Sequence, residues 1–244
     1  MSENSEYENV FSGVLGENYQ TIKLICPLAA KMSRLVGEAV KEYAQTHQQA
    51  LNVVELGGGT GITTLSILLA ADNLKVSSID NAATMQQQAK VSLKKWVEQQ
   101  RVDFIEADAL VALKSMPDNS ADIIASAYTL HNFLHEYREE LVSEIYRVLK
   151  SGGKFINGDR HGLDDISEHT AMLQQEIASY FKVLKAENKI DLLEHWIVHL
   201  FADESENRVM RESIALNQLK QAGFSNVTLS QRIEVNALMS ATKP

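Results

Sequence analysis

One cysteine, Cys26, stands in the whole chain, so neither an internal disulfide nor a multi-cysteine zinc or iron–sulfur site can form. The lone thiol is expected to behave as a small buried hydrophobe. Proline is nearly as scarce, with three residues, and no proline-rich linker exists. Basic residues are outnumbered, 23 Lys and Arg against 32 Asp and Glu, for a formal net charge of −9. An acidic chain offers no broad footprint for phosphates, which argues against nucleic acid as a partner. No uncharged apolar run reaches the roughly 18 residues of a membrane span, so no membrane partner is expected. The opening residues, MSENSEYENV, have neither the basic nor the apolar region of a signal peptide. These absences predict a cytoplasmic protein whose partner is a small-molecule substrate; a homodimer is compatible with them.

What is present suits one α/β domain with an insertion: 244 residues, 45% of them apolar. Residues 1–50 look helical, with apolar positions at Leu24, Ile25, Leu28, Met32, Leu35 and Val36. Strands are then expected at 51–56, 74–80, 102–107, 121–127 and 154–158. Helices are expected between them at 60–71, 84–99 and 135–150, with a short turn near 110–115; the last helix is stopped by Lys150-Ser151-Gly152-Gly153 as a glycine C-cap. Alternation of this kind implies a parallel sheet with right-handed crossovers. It breaks after Gly158. Residues 162–205 read as two helices, 211–222 as a third, and 226–233 with 235–241 as a closing antiparallel hairpin. The expected division is an N-terminal helical lid over 1–50, an α/β core over 51–161, a helical cap over 162–207, and a helix and hairpin over 208–244 that complete the core.

The segment Val53-Val54-Glu55-Leu56-Gly57-Gly58-Gly59-Thr60-Gly61 sits where the first strand turns into a helix. Glycines there allow a tight turn and close approach of a ligand to the backbone. The free N–H groups of the following helix start favour polar or negative ligand groups. The pattern is G-x-G-x-G; the third glycine of a dinucleotide fingerprint is Ile62 here, and the Lys-Ser/Thr of a P-loop is missing. Asp80 ends the second strand, where a carboxylate accepts from both hydroxyls of a ribose. Asp108 follows the third strand beside Ala109 and can accept from an exocyclic amine. Glu55 stands beside the glycines, where a cationic group would want it. Three acids at successive strand ends suit a phosphate-free or cationic ligand.

On these residues the chain resembles the class I S-adenosylmethionine-dependent methyltransferases, over roughly residues 50–160. The resemblance implies a Rossmann-like seven-stranded α/β sheet, five parallel strands with a C-terminal antiparallel hairpin, and S-adenosyl-L-methionine as cofactor. It implies that Glu55, Gly57, Gly58, Gly59 and Gly61 hold the methionine end, that Asp80 and Asn81 hold the ribose, and that Asp108 and Ala109 hold the adenine. It further implies that the segment Ser126-Ala127-Tyr128-Thr129-Leu130-His131 faces the sulfonium and the substrate. Within the family the chain is most similar to the carboxy-S-adenosylmethionine synthases, through Asp80-Asn81, Met85, Tyr128-Thr129-Leu130, Ala222-Gly223-Phe224 and a Tyr19 before an apolar helix. That subfamily's loop lacks this triple glycine. Its substrate-binding arginine has no matching position here; His199 and Arg208 are the nearest.

Methyl transfer from a sulfonium mainly demands alignment and exclusion of water; a hydroxyl or protonated amine acceptor also needs a base. His131 after the fourth strand and His161 after the fifth are the candidate bases, with Tyr128 lining the pocket. Arg160 can pair with a substrate carboxylate or form an ordinary salt bridge. His195 and His199 share one helix face, with His161 or Asp164 as a conceivable third metal ligand, yet packing is the expected role and no metal is assigned. Residues 7–19, with Phe11, Gly13 and Gly16, read as a cover over the cofactor or as a plain N-terminal helix. Small-molecule methyl transfer is thus the expected activity. A cofactor-modifying enzyme, a non-catalytic cofactor-binding module, a nucleic-acid methyltransferase and an NAD-dependent reductase stay as rivals.

Overall fold

The computed structural model describes residues 26–244, apart from the side chain of Asp191. The cover at 7–19 and the Tyr19 position lie outside the described residues. Helix α1 (Pro27–Ala44) begins with proline at its first turn, where the missing N–H costs nothing. It turns Met32, Leu35, Val36 and Val40 inward. Strand β1 (Leu51–Leu56) then enters the sheet centre, buried at every position except Asn52.

Helix α2 (Ile62–Ala70), strand β2 (Leu74–Asp80), helices α3 (Ala83–Ser92) and α4 (Lys94–Glu98), and strand β3 (Val102–Glu106) follow. Helix α5 (Ala109–Ser115), strand β4 (Ala121–Ala127), a 3-10 turn at Leu130–Asn132, helix α6 (His135–Val148) and strand β5 (Leu149–Arg160) complete the alternation. Next come the helices α7 (Ile166–Ala186), α8 (Asp191–Asp203) and α9 (Glu212–Gln221), then strands β6 (Ser225–Ile233) and β7 (Asn236–Thr242). Gly223 closes α9 with a positive φ of 102°, and Phe224 N–H donates back to Leu219 O, the left-handed glycine stop.

The seven strands form one sheet in the order β3-β2-β1-β4-β5-β7-β6. β1 to β5 pair in parallel, and β7 runs antiparallel between β5 and β6. This is the expected Rossmann-like methyltransferase sheet. α1, α2 and Trp96 cover one face; α5, α6 and α9 cover the other. Strand β4 is buried at all seven positions because both of its faces are covered.

One boundary departs from expectation. The helix before β5 ends at Val148, and Leu149 is already paired with Ala121. Lys150-Ser151-Gly152-Gly153 is therefore an irregularity inside β5, with Gly152 at φ 80°, and not a C-cap. Pairing with β4 and β7 outweighs one more helical turn. The strand also runs to Arg160, paired with Asn236, two residues past the expected end.

Candidate functional site

Ligands of open α/β sheets bind where the strand order reverses, at the carboxyl ends of the strands. Here that point lies between β1 and β4, and two adjoining cavities open there. The first, about 450 Å³, lies over Gly57, Gly59, Asp80, Asn81, Asp108 and Ala109. The second, about 490 Å³, lies between the sheet and α7 and α8, with Arg160, Glu176, Tyr180, Trp196 and His199 among its walls. Met85, Tyr128 and Asn132 line both and mark the junction.

The glycines of the loop divide into distinct roles. A Cβ on Gly57, at φ 74°, would lie 2.0 Å from Thr129 Oγ1, and one on Gly58 would lie 2.0 Å from Ser78 Oγ. Those two are needed for close packing. Gly61, at φ 93°, starts α2 against Leu93 and Ala89. Gly59, at φ 51°, would place a Cβ in open space, and it lines the first cavity. It is the exposed tip of the cradle. Asp80 fixes that tip: Oδ2 accepts from Gly59 N–H and Oδ1 from Ala82 N–H, both at 2.8 Å. Asp108 caps α5 by accepting from Leu110 and Val111 N–H, and Tyr137 O–H donates to both of its oxygens. The Tyr137 phenol is pushed up to about 12, by burial first and then by Asp108, so it stays a donor.

Two expected cofactor contacts face elsewhere. Glu55 is fully buried beneath the loop, accepts from Thr64 Oγ1 at 2.6 Å, and lines neither cavity. Burial pushes its carboxyl up to about 7, with Asp80 adding to the rise, so it is no strong partner for a cation at neutral pH. Ser126 is also fully buried and donates to Leu56 O, stitching β4 to β1.

At the second cavity, Tyr128 carries a positive φ of 52°, an uncommon conformation for a bulky residue, which turns the chain sharply as it leaves β4. Its hydroxyl donates to Asn236, and its ring stands edge-on to His131. Burial pushes the phenol well above the usual tyrosine range, so it stays protonated. His131 is buried, with Nδ1 2.5 Å from Asp159 Oδ1. Asp159 in turn accepts from the N–H groups of Leu130 and Arg160, both at 2.8 Å. Burial alone would raise this carboxyl, but His131 and those bonds hold it below the usual carboxylate range. The remaining nitrogen, Nε2, sits 3.8 Å from Asp203 Oδ2 on the cavity side.

His161 does not join them. It was expected as a candidate base beside Arg160, but side chains of an extended chain alternate. Arg160 faces the cavity, while His161 is fully buried, lines neither cavity, and has no hydrogen-bond partner on either ring nitrogen among the described residues. Burial pushes its imidazole down to about 4. Arg160 is the salt-bridge residue: it donates to both oxygens of Glu176, at 2.8 and 3.1 Å, and to Glu204 at 2.8 Å. His195 is exposed, and Asp164 accepts from Ser213, so neither joins a ligand cluster. Asp159 and Asp203 were missed as site residues. Asp203 is four residues after His199 on α8, the spacing that places two side chains on one helix face.

Comparison with known proteins agrees with the fold. Residues 54–157 match the model of the methyltransferase domain. A carboxy-S-adenosyl-L-methionine synthase of Shewanella sediminis is 23% identical over 196 residues, 78% of this chain and 76% of that protein. Another, of Shewanella sp. W3-18-1, is 22% identical over 92% of this chain and 86% of its own. Among solved structures, an O-methyltransferase family protein of Burkholderia thailandensis superposes with a TM-score of 0.65 at 17% identity, over 99% of this chain. The CurJ carbon methyltransferase gives 0.63 at 16%, over 96%. This chain spans 62% and 63% of those two chains.

Residues 54–157 are thus similar to a methyltransferase domain, and the sheet around them has the fold of the S-adenosylmethionine-dependent methyltransferases. Within that class it has the likeness of the carboxy-S-adenosylmethionine synthases, at low identity. The first cavity fits S-adenosylmethionine chemically. No Lys or Arg among the described residues lines that cavity, Gly59 leaves the backbone open, and Asp80 and Asp108 stand at successive strand ends. Such walls would repel a pyrophosphate and accept an adenosine without one.

Proposed function

We propose that this chain transfers the methyl group of S-adenosylmethionine to a small molecule held in the cavity beneath α7 and α8. The observation that carries the reading is the junction at Tyr128 and Asn132, where the acceptor cavity opens onto the cofactor cavity beside His131. A volume of about 490 Å³ suits one small organic ligand. When bound, the cofactor supplies a methyl group already activated on a sulfonium. Asp80, Asn81 and Asp108 are the groups we assign to its adenosine, and Gly57 and Gly59 to its methionine end. Glu55, Gly58, Gly61 and Ser126 then shape the site from beneath. Asp159 fixes His131 with Nδ1–H toward itself, which leaves the Nε2 lone pair toward the cavity. That lone pair serves the acceptor, taking its proton or holding a Lewis acid that weakens the O–H bond. Tyr128 stays protonated and positions the junction, and α7 and α8 keep water out. The acceptor then attacks the methyl carbon in line as the carbon–sulfur bond breaks toward sulfur.

The likeness to carboxy-S-adenosylmethionine synthases favours a second reading, cofactor modification. The acceptor cavity speaks against it: its arginine, Arg160, is engaged by Glu176 and Glu204, and Glu176, Asp203 and Glu234 add negative charge. A carboxylate substrate would meet no unpaired Arg or Lys among the described residues lining it. The test is incubation of the full chain with methyl-labelled cofactor and a panel of phenols, amines and prephenate, read by mass spectrometry. Label on an acceptor, with matching S-adenosylhomocysteine, supports methyl transfer. A cofactor that gains mass with prephenate overturns it, as does a protein that binds S-adenosylhomocysteine yet never forms it.

A further inference from the structure

We propose that His131, His199 and Asp203 bind one divalent first-row cation, of the zinc-to-iron type, in the wall of the acceptor cavity. The three residues offer one donor atom each, all within 4.8 Å of one another. Asp203 Oδ2 lies 3.8 Å from His131 Nε2 and 3.6 Å from His199 Nε2. Both distances exceed a hydrogen bond. They approach the spacing of about 3.4 Å between ligands of a tetrahedral ion with bonds near 2.1 Å. The carboxylate thus stands between two imidazoles without hydrogen-bonding to either.

The second observation concerns Asp203 itself. The residue is 5% exposed, and its Oδ1 is buried with no hydrogen-bond partner among the described residues. A buried acceptor left in this way is costly unless something else satisfies it, and a cation does so.

The surroundings complete the argument. Asp159 grips the far nitrogen of His131 at 2.5 Å, the carboxylate–imidazole arrangement that orients metal-binding histidines. His199 and Asp203 share one face of α8, and the histidine side chain is 45% exposed, free to close on an ion. Two imidazoles and one carboxylate leave coordination positions open toward the cavity, and this donor set suits zinc or iron over magnesium. The inference deepens the methyl-transfer reading and rests on it for the role. A hydroxyl acceptor at the cation would lose its proton to water more readily; its oxygen then bonds the methyl carbon while the carbon–sulfur electron pair leaves with sulfur.

The test uses the full chain without an affinity histidine tag, stripped by chelator and titrated calorimetrically with zinc chloride alone and magnesium chloride alone. One zinc per chain is expected, with magnesium at least about tenfold weaker. His199→Ala and Asp203→Asn are expected to abolish the zinc isotherm, Asp159→Asn to weaken it by about 10–100-fold, and His195→Ala to leave it unchanged. Cobalt chloride gives a readout free of any variant, a visible absorption spectrum of coordinated Co²⁺. Zinc binding that survives both ligand variants overturns the proposal, as does equal loss in His195→Ala or magnesium bound as tightly as zinc. S-adenosylhomocysteine binding is measured on the same samples. Its retention in the variants shows that they are folded. Its absence in the native chain would sink the methyl-transfer reading without touching the zinc result.

Discussion

His131 Nδ1 lies 2.5 Å from Asp159 Oδ1, and the same carboxylate accepts the Leu130 and Arg160 backbone N–H groups. One buried acid thus fixes both the 3-10 turn that carries the imidazole and the ring's orientation. Asp159→Asn should lower kcat for methyl transfer by about 100-fold or more, because the lone pair toward the acceptor is no longer enforced. Affinity for S-adenosylhomocysteine should not change. Turnover assays beside calorimetry check the pair of outcomes, and an undiminished kcat would remove His131 from the chemistry.

Asp80 carries two loads in the cofactor cavity: the Gly59 and Ala82 N–H groups, and the proposed ribose contact. Asp80→Ala should weaken S-adenosylhomocysteine by about 1–3 kcal/mol in calorimetry. Unchanged affinity would falsify the assignment of the ribose to this acid.

Gly57 and Gly59 should separate stability from binding. A methyl group on Gly57 collides with Thr129, whereas one on Gly59 meets nothing within 4 Å. Both positions carry positive φ, which costs an L-residue about 1–2 kcal/mol. Gly57→Ala should lower Tm further than Gly59→Ala does, and Gly59→Ala should cost mainly cofactor affinity. Thermal melts with and without S-adenosylhomocysteine distinguish them.

Glu55 and His161 should tilt stability with pH in opposite directions. The Glu55 carboxyl rises from 4.5 to about 7 on folding, so the native state holds its proton more tightly. Its contribution is full below pH 4.5 and is lost as pH rises to about 7. The His161 imidazole falls from 6.5 to about 4, so its contribution is full above pH 6.5 and is lost as pH falls to about 4. Each shift is on the order of 3 kcal/mol at about 1.36 kcal/mol per unit. Relative to the native chain, Glu55→Gln should gain stability as pH rises through 4.5–7. His161→Leu should gain as pH falls through 6.5–4. Urea unfolding at pH 4.5, 6 and 8 measures both.

Most of the sheet was legible because its strands are apolar runs separated by helical periods. Leu51–Leu56, Leu74–Asp80 and Ala121–Ala127 match their expected bounds. The start of β5 was not, since Gly152 and Gly153 read as a helix stop and only pairing with β4 makes them strand. The cofactor cavity was legible in part. Gly59, Asp80, Asn81, Asp108 and Ala109 are adjacent to strand ends in sequence, and local order places them on its wall.

The composition and the local pattern by themselves determined an α/β chain with a glycine-rich turn after its first strand and acids at the ends of the next two. Only the tertiary structure decided what faces what. It turned Glu55, Ser126 and His161 inward, because burial and strand alternation are settled by neighbouring elements. It paired Arg160 with Glu176 and Glu204, far apart in the chain. It also set His131 of the core against His199 and Asp203 of α8, a contact that exists only because the helices after β5 fold back over the carboxyl ends of the strands.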